Sequence, residues 1–214
     1  MKRYRVGAIA WILSALVIPA QVIVALGWPS GYSVASNTIS DLGVTACGEY
    51  SELGQQVREV CSPGHAIFNI SMFASGALIL IGAVLLYGRW GRATGRAGTI
   101  FMIVAGMSVL VVGISPWDVA PEIHDSFALM QAVSQWIAMI LLAIAAGPGN
   151  FRKVTTFVVV VSAASFVIFM VALEGYEVPW LGVGGVERLS FDSLTVWTAL
   201  TGVALLKSHR SSRP

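Results

Sequence analysis

Residues 65–87 read HAIFNISMFASGALILIGAVLLY, and no Asp, Glu, Lys or Arg interrupts them. Crossing a hydrocarbon core of about 30 Å takes an apolar helix of about 20 residues, each adding about 1.5 Å. Working outward from this run, five more stretches approach that length: Val6–Leu26, Gly98–Ile114, Ile123–Ala146, Val154–Leu173 and Phe191–Leu206. Composition agrees. Of 214 residues, 56% are hydrophobic and 11% charged, with a mean hydropathy of +0.78, which excludes a water-soluble enzyme. The net charge is only +2 and no basic run is interleaved with aromatics, so we expect no nucleic-acid partner. The expected fold class is an all-α integral membrane protein, a six-transmembrane-helix bundle forming a single domain over residues 1–214.

Lys2, Arg3 and Arg5 ahead of the first run resemble the basic start of a signal peptide. Its apolar run of about twenty residues exceeds the roughly 7 to 15 of a cleavable signal, so we expect a retained helix. Basic residues set the orientation. Eleven of the thirteen fall on one side, among them Arg89, Arg92, Arg96, Arg152 and Lys153, leaving Arg58 and Arg188 on the other. Both termini are then cytoplasmic and the location is the plasma membrane. The acidic residues, not used in that assignment, check it: all eleven, from Asp41 to Asp192, fall on the outer side or at an outer helix end. Trp28, Tyr32, Trp117, Tyr176 and Trp180 near one boundary, and Tyr4, Tyr87 and Trp90 near the other, read as interfacial anchors.

The substantial extramembrane piece is the first outer loop, 27–64, within which 51–60 has the makings of one short helix. Both cysteines, Cys47 and Cys61, fall in this loop, on the side where oxidation persists, so we expect them to form a disulfide. They lack the CxxC spacing of a redox or metal site.

Polar side chains inside a bilayer are costly and face a bundle interior or a cavity. His124, Gln131 and Gln135 share one face of the fourth segment, while His65 and Asn69 stand one turn apart on the second. Ser14 and Gln21 on the first segment and Asp192 and Thr195 on the sixth add to the set. Two readings stand: a polar cavity entered from outside, or interhelical hydrogen bonds that only hold the bundle together. Gly106 with Gly113, and Ser71 with Ser75, suit close helix approach. Glu122, Asp125 and Asp192 read as first-turn acids that complement helix dipoles. His65 and His124 with Asp41 or Glu187 are residue types that zinc accepts, but they come from different segments without an HExxH-like signature, so we assign no metal and no cofactor.

The string NTISDLG at 37–43 resembles the signature of the bacterial and archaeal membrane proteins grouped as domain of unknown function 998. Three further features are similar: Val112-Gly113 followed by Pro116 and Asp118, His124 at the start of the fourth helix, and Gly185-Val-Glu-Arg188 ahead of the last. The likeness covers nearly the whole chain, which departs from the pattern by the longer stretch 45–62. More distantly, Ile39-Ser-Asp-Leu42 resembles a loop of the six-helix damage-regulated autophagy modulator family. The resemblance implies no settled activity; it implies that the outer-face residues form the site.

From the residues themselves we expect an ion pair from Arg188 to Asp41 or Glu187, docking the first loop over the bundle mouth. Asn37 and Ser40 would hydrogen-bond backbone around the docked loop, with Gly43 permitting a turn. The expected ligand-binding set is Asn37, Ser40, Asp41, His65, Asn69, His124, Gln131, Glu187 and Arg188. The ligand is a membrane lipid head group or a small polar molecule, in an accessory or envelope-related role. The alternatives are an intramembrane lipid hydrolase or transferase, with His65 or His124 as base and Asp41 or Glu187 orienting it, and a small transporter. Six helices also leave room for a homo-oligomer.

Overall fold

The computed structural model describes residues 2–29, 31–51 and 57–211. Among these residues, seven α-helices make six stretches long and apolar enough to cross a membrane. α1 (Lys2–Leu13) and α2 (Val17–Leu26) form the first, joined by a 3₁₀ turn, Ser14–Leu16. Pro19 explains the break, because it lacks an N–H and its ring crowds the carbonyl four residues back, inside that turn. The remaining spans are α3 (His65–Leu86), α4 (Ala93–Ile114), α5 (Pro121–Ala146), α6 (Asn150–Leu173) and α7 (Gly182–Ser211). α5 starts on Pro121, at a position whose N–H no helix would use, and stops where Gly147 takes φ +80°.

Each span packs on the next in the chain, and α7 packs on α1, so the six spans close into a ring. α3 and α4 touch backbone to backbone. A Cβ on Gly106 would sit 2.6 Å from the Leu80 nitrogen, and one on Gly113 would sit 2.4 Å from the Phe73 nitrogen. Lipid tails are as apolar as leucine, so helices in a bilayer associate through such close packing rather than through hydrophobic burial. Trp11, Ile79, Met102, Met139 and Leu142 fill the half of the ring near the termini. Trp11 also donates from Nε1 to the Ile79 carbonyl, 3.1 Å away. A second apolar cluster, including Val24, Trp28, Leu42, Val44 and Phe68, lies at the opposite end under the first loop.

That loop is an organised cap. It runs through a 3₁₀ turn (Ser40–Gly43) into an antiparallel hairpin, β1 (Gly48–Tyr50) and β2 (Arg58–Val60), with Glu49 opposite Glu59. The Cys47 and Cys61 sulfurs lie 2.03 Å apart across the base of the hairpin. Asp118, in the turn between α4 and α5, accepts from the Thr45 N–H at 2.9 Å and the Thr45 hydroxyl at 2.7 Å.

Several expectations need correction. The helix expected over 51–60 is not there among the described residues: 58–60 form a strand, and 52–56 lie outside them. Four of the spans begin four to nine residues earlier than hydropathy suggested, because their first turns carry the polar and glycine residues of a helix end. The largest difference is α7, which starts at Gly182 rather than near Phe191. Asp192 therefore lies well inside a helix and is not a first-turn acid. Trp28 is buried beneath the loop, edge-on to Tyr32, and does not mark a boundary.

The glycine contacts yield a test. Gly106→Val should destabilise the detergent-solubilised protein by about 1–3 kcal/mol or more, since the facing atoms are backbone. Phe157→Ala, on a side chain 68% exposed at the bundle surface, should leave the melting temperature nearly unchanged.

Candidate functional site

Beneath the cap, the half of the ring nearer the loop is hollow. A small chamber of about 60 Å³ lies on the ring axis, and a groove of about 590 Å³ opens between α5 and α6. Ser40, His124, Ala128, Glu187 and Phe191 line both, so the two spaces share a wall. α5 and α6 are the least closely packed pair of neighbours in the ring, which is why the groove lies there. Its far wall is apolar, with Leu129, Phe166, Phe169 and Met170. Its polar pole is Thr38, Ser40, His124 and Glu187.

Each polar group is held. His124 is 6% exposed; its Nδ1 lies 2.9 Å from the Ser115 carbonyl and its Nε2 lies 2.9 Å from the Ser40 hydroxyl. Buried Glu187 accepts from the Ile39 N–H through Oε2, tying α7 to the cap. Inside the chamber, Gln21 donates to Asp192 at 2.8 Å, linking α2 to α7. Gln131 lines the same chamber, whereas Gln135, one turn deeper, donates to the Leu194 carbonyl and the Thr198 hydroxyl. The polar stripe of α5 thus serves both expectations in turn: cavity at His124 and Gln131, interhelical bonding at Gln135.

The remaining site candidates build the cap. Asp41 is fully buried and grips Arg58 through both oxygens, at 2.8 and 2.9 Å. It also accepts from the Thr38 N–H at 3.1 Å and from Asn37 Nδ2 at 3.2 Å. The expected Asp41–Arg188 pair is therefore replaced by Asp41–Arg58, made when the hairpin folds back. Arg188 instead donates to the carbonyls of Asn37 at 2.9 Å and Gly184 at 2.8 Å, and to the Tyr32 hydroxyl. Burial raises the Tyr32 phenol's pKa despite the opposing Arg188 charge, so it stays protonated and donates to the Thr38 carbonyl at 2.8 Å. His65 bonds the Ser62 carbonyl at 2.9 Å, and Asn69 donates to the Gly43 carbonyl at 2.9 Å. Gly43 is glycine for want of room: a Cβ there would meet Asn69 Oδ1 at 2.4 Å. Gly184 is glycine for the same reason, with the Asn37 carbonyl 2.1 Å from where its Cβ would be.

Of the expected residues, the fold brings Ser40, His124, Gln131 and Glu187 to the cavity walls. Asn37, Asp41, His65, Asn69 and Arg188 are engaged in holding the loop, and Ser40 bonds the His124 side chain rather than backbone. His65 and His124 bond different groups, and among the described residues no three His, Cys, Asp or Glu side chains converge. Asp192, expected in the polar set and also read as a first-turn acid, lines the chamber. Thr38 and the α6 phenylalanines were missed, and nothing in the α6 pattern distinguishes Phe166 and Phe169 from lipid-facing side chains.

Arg188 fastens the cap from both terminal nitrogens, Nη1 donating to the Val34 carbonyl at 3.2 Å and the Asn37 carbonyl at 2.9 Å and Nη2 to the Tyr32 hydroxyl, a spread that the single ammonium of lysine lacks. Arg188→Ala should lower stability by roughly 1.5–3 kcal/mol per charged hydrogen bond lost and speed proteolysis of the loop near Ser51. Arg188→Lys should rescue little of either, as thermal melting and limited proteolysis would show.

No curated protein and no solved structure matches the chain. A family model described as a protein of unknown function, DUF998, matches residues 12–204, from within the first span to near the end of the last. The chain belongs to the DUF998 family.

Proposed function

We propose that this protein binds a membrane lipid or similar amphiphile in the α5–α6 groove, as a plasma-membrane protein with both termini in the cytoplasm. The polar head occupies the pole formed by Ser40, His124 and Glu187, and the chain lies along Phe166, Phe169 and Met170. The observation that carries this reading is the groove's two-ended chemistry at a ring seam, where an occupant enters sideways from the bilayer. A ligand that is polar throughout would leave the phenylalanine wall unmatched, and a pure hydrocarbon would make no use of the polar end.

The sidedness rests on charge. Arg89, Arg92, Arg96, Arg152 and Lys153 cluster at the end of the ring opposite the loop, and such clusters remain cytoplasmic. The groove then opens toward the outer leaflet, and the Cys47–Cys61 bridge forms in an oxidising compartment. For a separation of 14 residues, chain entropy makes such a bridge worth about 3 kcal/mol to the cap.

Two measurements test the reading. Protein purified in mild detergent should carry about one tightly held lipid per chain by native mass spectrometry. Ala128→Trp, which fills the wall shared by groove and chamber, should reduce that occupancy several-fold; unchanged occupancy would show that the lipid lies elsewhere. A cysteine placed at Ser51 should react with an impermeant maleimide in intact cells, while one placed at Arg92 should react only after lysis. The reverse pattern would invert the topology.

A further inference from the structure

Two groups at the groove's polar pole are arranged for more than binding. The Ser115 carbonyl, 2.9 Å from His124 Nδ1, can only accept, so in the neutral ring Nδ1 carries the proton. Nε2 then presents a bare lone pair toward Ser40 Oγ at 2.9 Å, and only the serine hydrogen can fill that contact. The lone pairs of Oγ remain for the groove, which both residues line. A hydroxyl bonded to a base, with the base oriented by a third group, is the arrangement that activates a serine nucleophile.

The serine is positioned from both sides. Ile39 before it is tied by its N–H to Glu187, and Asp41 after it is locked onto Arg58. Ser40 itself opens the 3₁₀ turn and is the polar residue of this cap segment whose side chain bonds across to α5.

We propose that Ser40 and His124 are a nucleophile–base pair that hydrolyses the carboxylic ester of an acylated amphiphile seated in the groove. The proposal rests on the groove being a lipid site. Ser40 Oγ bonds to the acyl carbon as its proton passes to His124 Nε2. The ester C–O bond breaks, the departing alcohol takes that proton, and the acyl group remains on Ser40. A water molecule, deprotonated by Nε2, then adds to the acyl carbon. Release of the carboxylic acid, with the proton returned to Oγ, restores the serine. One ester and one water give one acid and one alcohol. The hydroxyls of Thr38 and Ser126, in the groove lining, are donors available to the carbonyl oxygen as charge develops there.

The test uses the full chain in mild detergent, with a long-chain fluorophosphonate as probe, p-nitrophenyl palmitate as substrate, and bound lipid measured on the same samples. Mass mapping of the wild type should place the phosphonyl adduct on Ser40, a result that needs no variant to fold. Ser40→Ala and His124→Ala should each lower ester turnover, counted per molecule of bound lipid, by at least about 100-fold. Wild type that retains lipid but takes no adduct on Ser40, or takes it on another serine, overturns the esterase and leaves the lipid site standing. Undiminished turnover in folded His124→Ala also overturns it. Wild type with neither lipid nor adduct overturns the lipid site and the esterase together.

Discussion

A carboxylate with no exposed surface must be compensated, and Asp41 is such a group. Its partners come from two places: Arg58 from the returning hairpin strand, and the Thr38 N–H and the Asn37 side chain from the segment just before the 3₁₀ turn. Removing one partner of a buried pair costs about 3–5 kcal/mol, because the other is left uncompensated. The pair therefore couples the hairpin to the 3₁₀ turn, and the turn carries Ser40 and Ile39 over the mouth of the ring. Without that coupling the groove's polar pole would lose Thr38 and Ser40.

The cap is fastened to the bundle at separated points, each using a different element. Asp118 holds Thr45 from the α4–α5 turn, Asn69 and Ser62 hold the turn from the start of α3, and Arg188 and Glu187 hold it from α7. These contacts satisfy hydrogen-bonding groups of an irregular segment packed against the bundle. The same contacts explain why Gly43 and Gly184 carry no side chain: the Asn69 side chain of α3 occupies the space at Gly43, and the Asn37 carbonyl of the cap occupies it at Gly184.

The hollow half of the ring and its filled half follow from side-chain size. Near the termini, large apolar side chains such as Trp11, Met102 and Leu142 meet across the axis. Toward the cap, the axis is bordered by Gln21, Ser75, Gln131 and Asp192, shorter or polar groups that pair along the walls rather than filling the centre. Tight glycine packing of α3 on α4 gives one rigid side, and the looser α5–α6 seam gives the other its opening. A site for an amphiphile needs that asymmetry, since a ring sealed at every seam would admit nothing from the bilayer.

Six apolar runs, their approximate bounds and the segregation of acids from bases were legible in the residues alone, because a lipid solvent imposes length and polarity on each span without reference to its neighbours. His124 and Gln131 could be singled out for the same reason, each being polar where polarity is expensive, and Glu187 as one of the outer-loop charges that a docked loop must pair. Pairing was not legible. Which cation meets Asp41 depends on the hairpin bringing Arg58 back across 17 residues, and the encounter of Ser40 with His124 spans 84. Nor could Phe166 and Phe169 be told from lipid-facing side chains, since an aromatic ring looks the same in a sequence whether it faces a groove or a bilayer. Those relations are set by the closing of the ring, and only tertiary packing specifies them.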